Sequence, residues 1–220
     1  MKARTAFMGL LTVGVVGSAA WLVFFSPVLG VRNVEIVGNL TVAADQIKQQ
    51  AAVEELHPMA TVDLAGVEAR VLGIRQLATA KAERVWPSTL KIEVAEREPV
   101  AVVPVQGKAA LVDAQAVVIE VRAVGPPRLP VLHVDRPGPG DPATMAALKV
   151  VAGLPEVLAG KVKQVRAPSA EAISLELNDG RTVVWGGADR ATDKAEILTT
   201  LLKRKADVYD VSSPDVVTLK

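Results

Sequence analysis

Arg84-Val85-Trp86-Pro87-Ser88-Thr89-Leu90-Lys91-Ile92-Glu93-Val94 decides how the chain folds, and Glu96-Arg97-Glu98-Pro99-Val100-Ala101 follows it almost at once. Leu77 to Val85 and Leu90 to Ala95 read as two strands joined in a hairpin across Trp86-Pro87-Ser88-Thr89. Upstream, Val31 to Val37 alternates apolar Val34 and Ile36 with polar Asn33 and Glu35, and Gly38-Asn39 then supplies a turn. Thr41 is placed to cap a helix from Val42 to about Ala52, with Ile47 and Ala51 on one face. Asp63 is placed to cap a second helix through Leu72, with Val67, Val71 and Leu72 on its buried side. The order is strand, helix, helix, strand, strand. Both helices must lie on one face of a three-stranded sheet, because a sheet of that size otherwise leaves its apolar face wet.

Toward the N-terminus, Lys2 and Arg4 precede an uncharged run from Thr5 to Val31 whose apolar heart is Ala6 to Phe25. About 20 apolar residues, at about 1.5 Å each, span a hydrocarbon core of about 30 Å. One membrane-spanning helix is expected, with Ala6, Leu10, Val16, Trp21 and Phe25 along it. Trp21, Phe24 and Phe25 near its far end suit the membrane interface, and Pro27 with Gly30 ends it. The positive-inside bias keeps Lys2 and Arg4 in the cytoplasm and sends residues 32–220 across. Ser18 and Ala20 also form a small-x-small pattern of the kind cleaved from signal peptides. The apolar run continues through Phe25, however, beyond the roughly 7–15 residues of a signal core, which favours an anchor.

After Pro99 the texture changes to short strands: Val100 to Val103, Ala109 to Asp113, Val117 to Val121 and Leu129 to Leu132. Three prolines in Arg136 to Pro142 mark an exposed loop, and a helix is expected from Ala143 to Gly153. Val162 to Arg166, Ile173 to Leu177 and Thr182 to Trp185 read as further strands, the last two joined by Asn178-Asp179-Gly180-Arg181. Asp193 to Lys205 is an amphipathic pattern that buries Ala195, Leu198, Leu201 and Leu202 and points Lys194, Lys203 and Arg204 to water. Val208 to Val211 is the final strand, and Ser213-Pro214 turns the chain toward Val216 and Val217. The fold class is α+β: one transmembrane helix, a β-α-α-β-β domain, then a mostly antiparallel β domain with two flanking helices.

Composition narrows the chemistry. In 220 residues, Lys plus Arg number 25 against 24 Asp plus Glu, a balance that disfavours nucleic-acid binding, which needs clustered excess cations. There is no cysteine, so thiol catalysis, Cys-ligated metals and disulfides are excluded. His57 and His133 are the only histidines; both read as loop residues, and their spacing cannot set two imidazoles on one helical face. No Gly-x-Ser-x-Gly elbow, Ser-x-x-Lys pair or phosphate-binding glycine loop is present. The pattern points away from an enzyme and calls for no cofactor and no metal.

The sequence resembles the FtsQ/DivIB family of cell-division proteins. The resemblance rests on Val34-Glu35-Ile36-Val37-Gly38-Asn39 before a helix, Asp63 before a second helix, the Arg84 to Val94 hairpin and Glu96-Arg97-Glu98-Pro99-Val100-Ala101. Leu111-Val112-Asp113 and the stretch from Gly180-Arg181 through Trp185-Gly186 to Lys194 resemble the family's second domain. Gln115 and Ala116 stand where the family often carries glycine. The resemblance implies a tail and transmembrane helix over residues 1–30, a POTRA domain over 31–99 and an FtsQ-type β domain over 100–220. It further implies a non-enzymatic divisome scaffold in the cell membrane at the septum, single-pass with its N-terminus cytoplasmic. Such a scaffold binds FtsB-like and FtsL-like partners and supports septal peptidoglycan synthesis. The family's C-terminal edge corresponds to Val208, Tyr209, Asp210, Val211 and Ser212, supported by Lys194. Glu96, Arg97 and Pro99 fall at the domain junction, where Glu96 and Arg97 would either form an ion pair that sets the interdomain angle or serve in docking. A POTRA module also occurs in extracytoplasmic chaperones and export components, which is the alternative reading.

Overall fold

The computed structural model describes residues 2–215 and 218–219, so the expected continuation at Val216 and Val217 lies outside the described residues. The chain divides into two compact units, Met1–Glu96 and Arg97–Lys220.

The first unit begins with α1, Lys2–Phe25. Its stretch Phe7–Phe25, of mean hydropathy 2.0, is the one helix among the described residues long and apolar enough to cross a membrane. Strand β1 (Asn33–Val37) is followed by α2 (Ala44–Ala51), α3 (Leu64–Val71), β2 (Leu77–Val85) and β3 (Thr89–Glu96). The sheet order is β1-β3-β2, with β1 parallel to β3 and β2 antiparallel to it, so the expected hairpin is present. Ile47 and Ala51 of α2 and Val67 and Val71 of α3 are buried in one cluster with Leu90, Ile92 and Val94 of β3. Every second β3 residue thus faces the helices, as strand geometry requires. Asp63 caps α3 by accepting the Gly66 N–H at 3.0 Å, as the sequence suggests. The expected Thr41 cap is corrected: α2 starts at Ala44 behind Ala43, without a side-chain cap, because Thr41 is engaged elsewhere.

The second unit is a nine-stranded sheet. Its strands are β4 (Ala101–Val105), β5 (Lys108–Val112), β6 (Val118–Arg122), β7 (Val131–His133), β8 (Val162–Arg166), β9 (Ile173–Leu177), β10 (Thr182–Gly186), β11 (Val208–Asp210) and β12 (Thr218–Leu219). Their order across the sheet is β12-β11-β10-β9-β8-β7-β4-β5-β6. Pairs β4·β7, β7·β8 and β10·β11 are parallel and the others antiparallel. Helices α4 (Pro142–Gly153) and α6 (Ala191–Leu201) flank the sheet as expected, with a single-turn α5 (Glu156–Ala159) between them. Leu148 and Val151 of α4 and Ala195 and Leu198 of α6 share a core with Leu132, Val165, Leu175, Val183, Trp185 and Tyr209. Ala116, at one of the two positions where the resemblance suggested glycine, takes φ +61. Asp113 makes this tolerable, because its carboxylate accepts the N–H groups of Gln115 and Val117 and closes the turn. His133, expected in a loop, ends β7 and is exposed.

Candidate functional site

The junction residues do not pair with one another. Glu96 ends β3, and its Oε1 accepts backbone N–H groups of Leu40, Thr41 and Val42 at 2.7, 2.8 and 2.9 Å, while the Thr41 hydroxyl donates to Oε2. Three successive amides converging on one carboxylate make an anion-binding concavity filled by the chain's own side chain. Partial burial pushes the Glu96 carboxyl up, but the Thr41 hydroxyl and the Val42, Leu40 and Thr41 amides outweigh it and hold the group at about 2. Arg97 instead donates from Nη1 to Asp113 Oδ2 at 2.6 Å. The expected Glu96–Arg97 ion pair is therefore corrected, because Glu96 is taken up by the amides of residues 40–42 and Arg97 by Asp113, each within its own unit. Pro99, exposed, lies between β3 and β4 and donates no hydrogen bond.

Arg84, first residue of the quoted motif, has a role that its sequence does not announce. Its guanidinium donates to the carbonyls of Met59 at 2.7 Å and Val62 at 2.6 Å, clamping the short 3₁₀ turn Met59–Thr61. Arg70 does the same for the C-terminal end of α2 through the Ala51 carbonyl at 2.8 Å, where a cation also suits the helix dipole.

At the C-terminal end of the sheet, β11 lies parallel to β10, with Thr182, Val183 and Val184 opposite Val208, Tyr209 and Asp210. The Thr182 N–H donates to the Asp207 carbonyl, and the Val211 N–H donates to the Val184 carbonyl. In a parallel ladder these alternate, so the backbone groups of Val208 and Asp210 face away from β10. On that side β12 pairs antiparallel with Tyr209 and Asp210, so β11 is not the last strand, contrary to the sequence reading. Two residues carry too short a pattern to be recognised as a strand.

Side-chain burial divides the expected partner residues. Val208 and Asp210 are half-buried and Ser212 is exposed, whereas Tyr209, Val211 and Lys194 are wholly buried. The sequence reading sends Lys194 to water; the structure corrects this. Lys194 lies on the sheet-facing side of α6, and its ammonium donates to the Gly187 carbonyl at 2.9 Å and meets Asp189 at 3.4 Å. A long aliphatic stem allows this kind of burial when the head finds acceptors. Tyr209 is likewise a core residue. Its hydroxyl donates to the Arg204 carbonyl at 2.7 Å and accepts from Arg181 Nη1 at 2.7 Å. Arg181 also donates to Asp179 at 2.8 Å, so the β9–β10 hairpin is tied to β11 and to the chain leaving α6. Arg190 makes a fork to Asp215 at 2.9 and 3.3 Å and reaches Asp193 at 3.0 Å, joining the start of α6 to the segment after β11. Paired with Arg190, the Asp215 carboxyl sits below its ordinary value.

Elsewhere, Leu10, Val16, Trp21 and Phe25 are exposed along α1, and Ala6 lies within that helix. An open cleft of about 730 Å³ in the second unit is lined by His133, Asp135 and Arg166. Among the described residues no group of three or more His, Asp or Glu is placed to hold a metal ion.

An apolar N-terminal helix, a β-α-α-β-β unit with both helices on one sheet face, and a second sheet-rich unit define a POTRA-bearing protein with a single helix able to cross a membrane. The family model for the FtsQ-type POTRA domain matches residues 29–97, and that for the C-terminal domain of the cell division protein FtsQ/DivIB matches residues 101–217. The chain belongs to the FtsQ/DivIB family. It is 44% identical over 201 residues to the cell division protein FtsQ of Mycolicibacterium smegmatis, an alignment covering 90% of this chain and 60% of that relative. The FtsQ of Mycobacterium bovis is 38% identical over 221 residues, covering 100% of this chain and 70% of the relative. A solved structure of the major extracytoplasmic domain of DivIB from Geobacillus stearothermophilus is 20% identical, with a TM-score of 0.38, covering 50% of this chain and 98% of that one.

Proposed function

We propose that this chain is a non-enzymatic scaffold of the bacterial division machinery. It is anchored in the cell membrane by α1, and its two folded units lie outside the cytoplasm at the septum. Lys2 and Arg4 before the apolar stretch support that orientation. The scaffold holds FtsB-like and FtsL-like partners and through them supports septal peptidoglycan synthesis. One observation carries the partner site: among the described residues the outer edge of β11 is met by the two-residue β12 alone. An extended partner segment takes that outer edge by strand addition, satisfying the backbone groups of Val208 and Asp210. Recognition there is by backbone and by the half-buried Val208 and Asp210, since Tyr209, Val211 and Lys194 serve the core.

Co-purification of the full chain with its FtsB and FtsL homologues tests this. Val208→Pro removes an outward N–H at the first residue of β11, where proline leaves the ladder to β10 intact. A folded Val208→Pro chain is expected to retain at least about tenfold less partner. Undiminished binding by that variant, with wild-type thermal unfolding, would remove β11 as the site.

A further inference from the structure

The opposite edge of the nine-stranded sheet is β6, and no strand lies beyond it among the described residues. Proteins blunt such edges by shortening them or by placing lysine or proline on them. Strand β12, at the other end, is two residues long. Strand β6 runs for five residues, Val-Ile-Glu-Val-Arg, has neither lysine nor proline, and departs from regular register only between Val118 and Glu120, leaving Glu120 to Arg122 regular. Its surroundings are apolar as well: Val118, Val121 and Val124 are 37%, 54% and 80% exposed. Val118 lines an apolar pocket of about 190 Å³ together with Val105, Ala110 and Val112.

The charge pattern of this segment is complementary to itself. Val118-Ile119-Glu120-Val121-Arg122-Ala123-Val124, laid antiparallel against a second copy about Val121, sets Glu120 opposite Arg122 twice. The same register sets Val121 against Val121. Arg122 Nη2 already lies 2.5 Å from Glu120 Oε1 within the strand, so both side chains are on one face, whereas the register irregularity between Glu120 and Val118 sets Val118 on the other. Opposite charges placed directly across a strand pair stabilise it and like charges destabilise it. Moving the centre to Glu120 or Arg122 would set two like charges face to face, so the charges select the register. We propose that β6 is a self-association surface, at which two copies of this chain pair antiparallel about a two-fold axis at Val121 and join their sheets. A partner strand of five residues stands at the small end of specific interfaces, so the association is weak and is read by covalent capture.

The chain contains no cysteine, so a single introduced thiol reports without background. Residues directly opposite in an antiparallel pair have Cβ atoms about 4.5–5.5 Å apart, close to disulfide reach. Full-length Val121→Cys, mildly oxidised in native membranes, is expected to yield a covalent dimer of the chain. Glu120→Arg or Arg122→Glu in the Val121→Cys background lowers the dimer about fivefold, and the double swap, which restores opposite charges in the same register, recovers it. The proposal is overturned if Val121→Cys with wild-type thermal unfolding stays monomeric. Failure of the double swap, or capture only of a different protein, would overturn it too.

Discussion

Replacing Glu96 by alanine removes the acceptor on which Leu40, Thr41 and Val42 converge. The amides of Leu40 and Thr41 sit in exposed surroundings and that of Val42 is partly buried, so water replaces part of what is lost. At about 0.5–1 kcal/mol for each such bond, the loss comes to about 2 kcal/mol. The carboxyl's fall from its ordinary 4.5 to about 2 sets a ceiling of about 3.4 kcal/mol at 1.36 kcal/mol per pH unit. Solvent screening of a half-exposed group brings that figure down toward the same 2 kcal/mol. Hydrogen exchange of the full chain in detergent reads the effect directly: the amides of residues 40–42 should exchange about 30-fold faster in Glu96→Ala, from 1.4 kcal/mol per tenfold. The pH dependence has a defined sign. Because the folded carboxyl titrates below the unfolded one, the wild-type advantage is complete above about pH 4.5 and is lost as pH falls through about 2. Glu96→Gln, with no charge to titrate, should show no such contribution across that window. Unchanged exchange at residues 40–42 in Glu96→Ala would refute the reasoning.

Two other substitutions probe the same logic. Gly38 has φ +90, and a Cβ there would lie 2.1 Å from the Val94 carbonyl oxygen; Gly38→Ala should cost about 2–4 kcal/mol in chemical denaturation of the first unit. Tyr209→Phe leaves the ring in place and deletes the hydroxyl between Arg204 and Arg181, which should cost about 1–2 kcal/mol, while Phe at 209 preserves the far-ultraviolet spectrum.

Legibility in the sequence followed the range of the interaction. Strands β8 and β9 coincide with the reading at both ends, because alternation over Val162–Arg166 and Ile173–Leu177 is local and Asn178-Asp179-Gly180 closes the turn. Asp63 was equally legible, since a cap acts within four residues. Glu96 was not, because the amides that hold it lie more than 50 residues upstream. The insertion of three-residue β7 between β4 and β8 is also non-local, and nothing in Val131–His133 announces parallel neighbours. Lys194 shows the limit of pattern reading on a helix: charge argued for water, while the Gly187 carbonyl that receives its ammonium belongs to the turn after β10.

Strand β7 has a consequence of its own. It meets β4 through the single register pair Val102–Val131 and a bond from the Val102 N–H to the Pro130 carbonyl. The nine strands are thus two antiparallel blocks, β4–β6 and β8–β10 with its C-terminal additions, stitched along a three-residue seam. Beneath that seam one core continues from Val103 and Val112 through Leu132 to Val165 and Leu175, so the two edges of the sheet are joined by side-chain packing as well as by the strand ladder.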